Sequence, residues 1–446
     1  MGVDSPKRRI ALLSPCGHGN LGDAAIQSAV VHSIAGKLPD VEFVGLTLVP
    51  GDTSERHGIE SFPLGAISRP AYLIDTTVGS FSNNVDADQN AHTEEDDSDQ
   101  GRNAIIRGAI SVARQLLPKG APYVIREEWQ HIRQAISVVR RIDMLIVSGG
   151  GQLDDFWGGP WGHPYAIFKW ALLSRLLGKP VIFLSVGYAE LSAGLSRWLC
   201  RLAWRLGSYR SCRDIGSRAA IEQLGFARGS KVSADLAFNY PGAVAERART
   251  SPRPSLGISP MVYMDPRTWP KKDAEAYRSY IGKLGEVAAS LLRSGCKVTM
   301  FVSDGPDRAA IDDVLSSQEE LGEFSDTGAL TVLDVRSVDE FLDSAGQMDV
   351  MIVTRLHGAI LSFVAGTPVV ALAYDRKVTA VMEEMRQARY CLSADEFQPF
   401  EVLRVSRDLL EFSQEARSQI RESVEQKRRE LDAQYNEVVS ACLNSG

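Results

Sequence analysis

Short apolar runs alternate with longer amphipathic stretches through most of this chain. Residues 10–14 read as a strand, 22–37 as a helix and 42–49 as a second strand. Helical patterns over 103–117 and 126–141 lead into a buried strand at 143–148. A helix at 164–177, a strand at 181–186, a helix at 193–206 and a strand at 209–213 follow, then a helix at 215–224 and a closing segment at 231–238. Short strands alternating with longer helices indicate a parallel α/β sheet. Residues 241–254 are rich in Pro, Ala, Arg and Ser, lack an apolar period, and read as a linker.

The alternation then restarts. Strands are expected at 256–259, 297–302, 330–335, 350–353 and 369–373, with helices at 271–293, 308–321 and 338–345, from His357, and after Arg376. From Phe400 onward the pattern is long, charged and helical, and predicts an element that packs across both halves. The fold expected is α/β: two Rossmann-like, doubly wound domains, residues 1–245 and 246–446, in a GT-B-like arrangement. A cleft should lie between them, bordered by the carboxyl ends of both sheets. One stretch breaks the pattern. Residues 83–102 carry Asp86, Asp88, Glu94, Glu95, Asp96, Asp97 and Asp99 with almost nothing apolar, and read as a mobile surface loop.

Composition narrows the class. The 446 residues suit two domains, and 44% hydrophobic content excludes a disordered chain. A net charge of −7 argues against generic duplex-DNA binding, so nucleic acid is not an expected partner. Six cysteines, none in a CxxC pair, support neither a zinc ribbon nor a secreted disulfide framework. Reduced thiols and a cytoplasmic location are the simpler expectation. The apolar run after Arg9 is too short for a secretory signal, and no stretch reaches the ~18 residues of a membrane span.

Four strand-end corners carry candidate chemistry. Gly17-His18-Gly19-Asn20-Leu21-Gly22-Asp23 permits close backbone approach, with Asn20 and Asp23 as caps of the following helix. A tight turn with a capped helix explains that corner equally well. In Gly149-Gly150-Gly151-Gln152-Leu153-Asp154-Asp155, glycines would let a ligand lie on the backbone. Asp154 and Asp155 suit sugar hydroxyls, one of them as a general base, and Trp157 and Trp161 offer flat faces for a pyranose ring. There too a helix cap and core tryptophans are the plainer reading, and an Asp154/Asp155/His163 metal site the least favoured.

The third corner, Cys212-Arg213-Asp214 with Ser217 a turn later, is built to fork onto an anion, or to form a structural Arg–Asp pair. The fourth is the sharpest. An apolar strand delivers Arg355 and His357, two residues apart and so on one side of a continuing strand, to the start of a helix opened by His357 and Gly358. An arginine, a histidine and a helix N-terminus make a phosphate site with a proton donor.

Taken in order, Gly19 to Ile26, Gly149 to Asp155, Cys212-Arg213-Asp214 with Ser217 and Leu224-Gly225, Arg355-Leu356-His357-Gly358, and Pro368 with Tyr374 through Lys377 resemble the polysaccharide pyruvyl transferase family. The resemblance spans about Ile10 to Met385. It implies a GT-B-like enzyme that moves the enolpyruvyl group of phosphoenolpyruvate onto a sugar diol, giving a pyruvate ketal and phosphate. Arg213, Arg355, His357, Gly358 and Lys377 would then face the donor, with Asn20, Asp23, Gly150, Gly151, Asp154 and Trp157 toward the acceptor. His357, Arg355 and Asp155 are the expected catalytic groups. No cofactor and no metal are implied. The acceptor would be a polysaccharide sugar or its lipid-linked precursor, which leaves room for peripheral membrane association and for a homo-oligomer. The alternative is a GT-B glycosyltransferase using a nucleotide sugar.

Overall fold

A computed structural model describes residues 7–17, 19–66, 121–155, 158–226, 229–242, 253–269 and 272–443, of which 121–125 by backbone alone. The acidic stretch 83–102, the helix expected at 103–117, His18, Trp157 and most of the linker lie outside these residues.

The first sheet is formed by β1 (Arg8–Leu13), β2 (Val41–Thr47), β3 (Glu60–Pro63), β4 (Met144–Ser148), β5 (Val181–Val186), β6 (Tyr209–Cys212) and β7 (Lys231–Val232). Its order is β3-β2-β1-β4-β5-β6-β7, and every pairing is parallel. The second sheet uses β8 (Ser255–Ser259), β9 (Lys297–Val302), β10 (Leu330–Asp334), β11 (Val350–Val353), β12 (Val369–Ala373) and β13 (Cys391–Ser393). Its order is β10-β9-β8-β11-β12-β13, again parallel throughout. In both sheets strand order reverses beside the first strand, between β1 and β4 and between β8 and β11. Parallel doubly wound sheets open their ligand crevice at that point.

Period-2 alternation divides the core. On β1, Ala11 and Leu13 face Trp170 and Trp204 on the helices behind the first sheet. Their neighbours Ile10 and Leu12 face the other way, into a core continuous with the second domain. The closing helices Pro399–Glu411 and Ser413–Leu443 join that continuous core, where Leu431, Tyr435 and Val438 are buried. The 31-residue helix returns to the first domain, as its charged, amphipathic sequence predicted. Gln434 donates to Ser211 Oγ at 2.8 Å and accepts from Ser185 Oγ at 3.1 Å. Arg428 binds the carbonyls of Phe238, Tyr240 and Gly242, and Arg8 donates to the Cys442 carbonyl.

Local differences from the sequence reading have physical causes. The helix Pro50–His57 and strand β3 escaped it because only Thr53 of that helix is buried, so no apolar period marks it. The helix expected at 308–321 is broken into Asp307–Ser316 and Glu320–Asp326; Leu321 is buried beyond the break, which carried the apparent period across it. Among the described residues, no helix is long and apolar enough to cross a membrane.

Candidate active site

Both switch points face one open cavity between the domains. Asn20, Gly22, Asp23, Gly151, Asp154, Tyr188 and Arg213 line it from the first domain. Arg355, His357, Gly358, Tyr374 and Lys377 line it from the second.

At the fourth corner, β11 is fully buried and ends at Val353, before Arg355 and His357, so no strand continues to give them a shared face. Arg355 becomes the N-cap of helix Leu356–Val364 and His357 its second residue, so the two side chains diverge. Arg355 turns to the acids that follow β9. Its Nε and Nη2 bind both oxygens of Asp307, at 2.5 and 2.8 Å, and Nη2 lies 3.0 Å from Asp304. Asp307 is fully buried and also accepts the Val262 N–H.

His357 turns toward the first domain. Its Nε2 lies 3.7 Å from Asp235 Oδ2, an ion-pair rather than a hydrogen-bond distance. Its other nitrogen packs on the backbone of Gly22, where an added Cβ would fall 2.1 Å from Nδ1. Only glycine lets the two domains approach this closely. No side chain caps the helix that His357 opens, so its N-terminal N–H groups face the cavity wall without a capping acceptor.

Asp235 joins the two domains' charges. Arg213 Nη1 reaches the same Oδ2 at 3.4 Å, and Oδ1 accepts the Ala237 N–H at 3.0 Å. Burial opposes its ionisation, yet His357, Arg213 and that N–H outweigh burial and hold the carboxyl down to about 2. Asp214 caps helix Ile215–Gln223 by accepting from the Ser217 N–H and hydroxyl, and lies 3.5 Å from Arg213 Nε. Asp23 is the opposite case. Burial pushes it up to about 6, with Asp304 and Asp235 adding to the rise and His357 and Arg355 opposing it.

The acceptor-side expectations divide. Gly151 and Asp154 line the cavity. Gly150 has φ +65°, and its carbonyl accepts the Gly187 N–H at 2.7 Å. Asn20 spends its oxygen on the N–H groups of Gly22 and Asp23, so it caps the helix rather than offering that oxygen to a ligand. Asp155 departs from its expected catalytic role. It is absent from the cavity lining, and both oxygens are engaged by Ser192 and the Ala193 N–H at the start of helix Gly194–Leu206. Despite burial, these bonds and the Ser196 hydroxyl hold its carboxyl below the usual range. It is a structural carboxylate.

His163 is half-buried against Gln152 at 2.8 Å, and its loss of solvent depresses it to about 4. Among the described residues, no group of His, Cys, Asp or Glu is placed to hold a metal ion. The six cysteines are free thiols. Lys377 lies over the Tyr374 ring, 5.1 Å from its centroid, and 3.7 Å from Asp375. The sequence reading missed Asp235, Asp304 and Asp307. A strand-end acid pair, Asp304-Gly305-Pro306-Asp307 after β9, was the available signal for two of them.

Two parallel, doubly wound sheets facing each other across a cleft, with a final helix returning to the first, define the GT-B fold class. The chain belongs to the polysaccharide pyruvyl transferase family, whose family model matches residues 20–376. Similar solved structures include a UDP-GlcNAc 2-epimerase from Methanocaldococcus jannaschii at 7% identity (TM-score 0.53, covering 90% of this chain and 92% of that one). Another is the UDP-GlcNAc 2-epimerase from Neisseria meningitidis bound to UDP-GlcNAc, at 9% identity (TM-score 0.53, covering 98% and 100%). A third is Anabaena HepE in complex with UDP and glucose, at 11% identity (TM-score 0.53, covering 98% and 99%). At such identities the likeness is one of fold. No curated protein matches the chain.

Proposed function

We propose that this protein transfers the enolpyruvyl group of phosphoenolpyruvate onto two hydroxyls of one sugar, releasing phosphate and leaving a pyruvate ketal. The observation that carries the reading is the cavity at both switch points. There Lys377, Arg213, Arg355 and an uncapped helix N-terminus converge beside one histidine. A donor bearing a phosphate and a carboxylate needs such a double set of positive groups. Arg355 is already gripped by Asp304 and Asp307, and Arg213 by Asp214 and Asp235, so Lys377 and the N–H groups at 356–358 carry more of the phosphate than sequence alone implied.

In this reading His357 gives its proton to the methylene carbon, and Asp235 stabilises the imidazolium beforehand. The first sugar hydroxyl adds to the central carbon and its proton returns to His357. The bond to the phosphate oxygen breaks, the second hydroxyl adds, and its proton passes through Asp23 to the departing phosphate. Asp23 replaces Asp155 as the base on this wall, since a carboxyl near 6 accepts protons better than one held low. The protein incubated with phosphoenolpyruvate and a pyranoside diol should release phosphate and give a sugar heavier by one ketal-linked pyruvate. Inertness toward phosphoenolpyruvate, with nucleotide released from a UDP-sugar, would establish the nucleotide-sugar alternative.

The raised Asp23 carboxyl predicts a pH signature for any anion in the cavity. Its folded value of about 6 exceeds the ordinary 3.8, so the folded state binds the proton more tightly. Stability therefore rises as pH falls through about 6 and levels off below the ordinary value. The same proton removes a negative charge from the cavity wall. Sulfate, whose charge is constant in this range, should bind about tenfold more tightly at about pH 5 than at about pH 7.5. Titration calorimetry checks this. Asp307, also pushed up to about 6 by burial against the pull of Arg355, titrates in the same direction, so Asp23→Asn flattens the slope without abolishing it.

A further inference from the structure

The face of the first domain farthest from the second carries an unusual surface. Helices His163–Leu176 and Gly194–Leu206 pack side by side behind the first sheet, and neither contains an Asp or Glu. Between residues 159 and 213 there are eight Lys or Arg and a single acid, Glu190, in a chain whose net charge is −7. Among the described residues, no carboxylate forms an ion pair with Arg175, Lys179, Arg197, Arg201 or Arg205.

Large apolar side chains stand among these cations. Trp161 is 71% exposed, Leu176 72%, Trp198 53% and Leu195 39%. Leu195, Trp198 and Leu202 follow the i, i+3, i+7 spacing of one helix face, and Arg205 continues it. Phe168, half-buried, stacks at 6.3 Å on Trp198 and joins the two helices' apolar stripes. Exposed Trp and Leu among Arg side chains that no carboxylate pairs, with Glu190 the one acid between residues 159 and 213, are the features of a surface that lies in a bilayer interface. A second copy of this chain is a poor occupant, because a two-fold interface would set each positive patch against itself.

We infer that this face docks the enzyme on an anionic lipid surface. The loops that lead into these two helices also supply Gly151, Asp154, Tyr188 and Ala189 to the cavity, so the face and the acceptor wall are joined by the same connecting segments. Docking would hold the acceptor wall of the cavity near the membrane. That last step rests on the pyruvyl-transfer reading and commits it to an acceptor carried on a lipid; the docking itself does not.

Vesicle flotation of the full chain without substrate tests docking independently of catalysis. The protein should float with vesicles of phosphatidylcholine containing phosphatidylglycerol, should remain behind with phosphatidylcholine alone, and should be released by salt. Arg175→Glu with Arg205→Glu, and separately Leu195→Ser with Trp198→Ser, should each lower the bound fraction about tenfold or more with an unchanged melting temperature. Phe400→Ser, an exposed aromatic of the second domain, should change nothing. Three results would overturn the inference: no flotation, equal flotation with neutral vesicles, or a dimer in solution that Leu195→Ser with Trp198→Ser dissolves.

Discussion

His357→Asn lowers phosphate release by about 10²–10⁴-fold per folded molecule, the range lost with a general acid, while the protein stays folded. The side chain is 20% exposed at the cavity wall, and asparagine keeps part of its packing on Gly22. Its Nε2 is shielded from solvent and has no hydrogen-bond partner, which leaves that nitrogen uncommitted beside the Asp235 carboxylate. Asparagine fills similar space and hydrogen-bonds, but cannot deliver a proton at neutral pH. The stability effect has a defined pH window. Asp235 is held to about 2 against an ordinary 3.8, so its stabilising contribution exists above about 4 and fades as pH falls toward 2. Without the imidazole that contribution shrinks, and variant and parent should converge in acid unfolding. Normal turnover in the variant, with a large loss of melting temperature, would make the histidine structural.

The second large effect falls on folding. Asp307→Ala removes the only fully buried partner of Arg355 and strands the Val262 N–H. Breaking a buried pair from one side costs about 3–5 kcal/mol. Arg355 keeps Asp304 and faces the cavity, so the lower end, about 3 kcal/mol, is expected in urea unfolding. Asp304→Ala should cost well under half of that, because Arg355 retains both bonds to Asp307. Equal losses from the two variants would mean that the acids act as one charge pool rather than as a forked pair with an auxiliary.

Much of this architecture could be read before folding, for a physical reason. Strands such as Val181–Val186 and Val350–Val353 are buried on both faces, so their residues form continuous apolar runs. The helix Pro50–His57 buries one residue and leaves no such trace. In the site, Arg213, Arg355 and His357 stood out because cations at strand ends are costly unless they serve a purpose, whereas Lys377 came from the family resemblance alone. Their partners did not. Asp235 reads locally as the cap of a short turn, and only the fold brings it to Arg213 and to His357, 122 residues further on. Adjacent acids are equally opaque: Asp154 lines the cavity, while Asp155 is used up by a helix start 37 residues away.

The returning helix Ser413–Leu443 bears on how the protein is made. Ser185, at the end of β5, holds a left-handed φ of +48°, and its hydroxyl finds Gln434 249 residues later. The carbonyls of Phe238, Tyr240 and Gly242 likewise wait for Arg428. During translation the first domain therefore emerges with an open flank, and it stays open until residues 413–443 have followed. A nascent chain stalled after residue 412 would carry both sheets yet remain a substrate for chaperones and proteases, and only the last helix closes it.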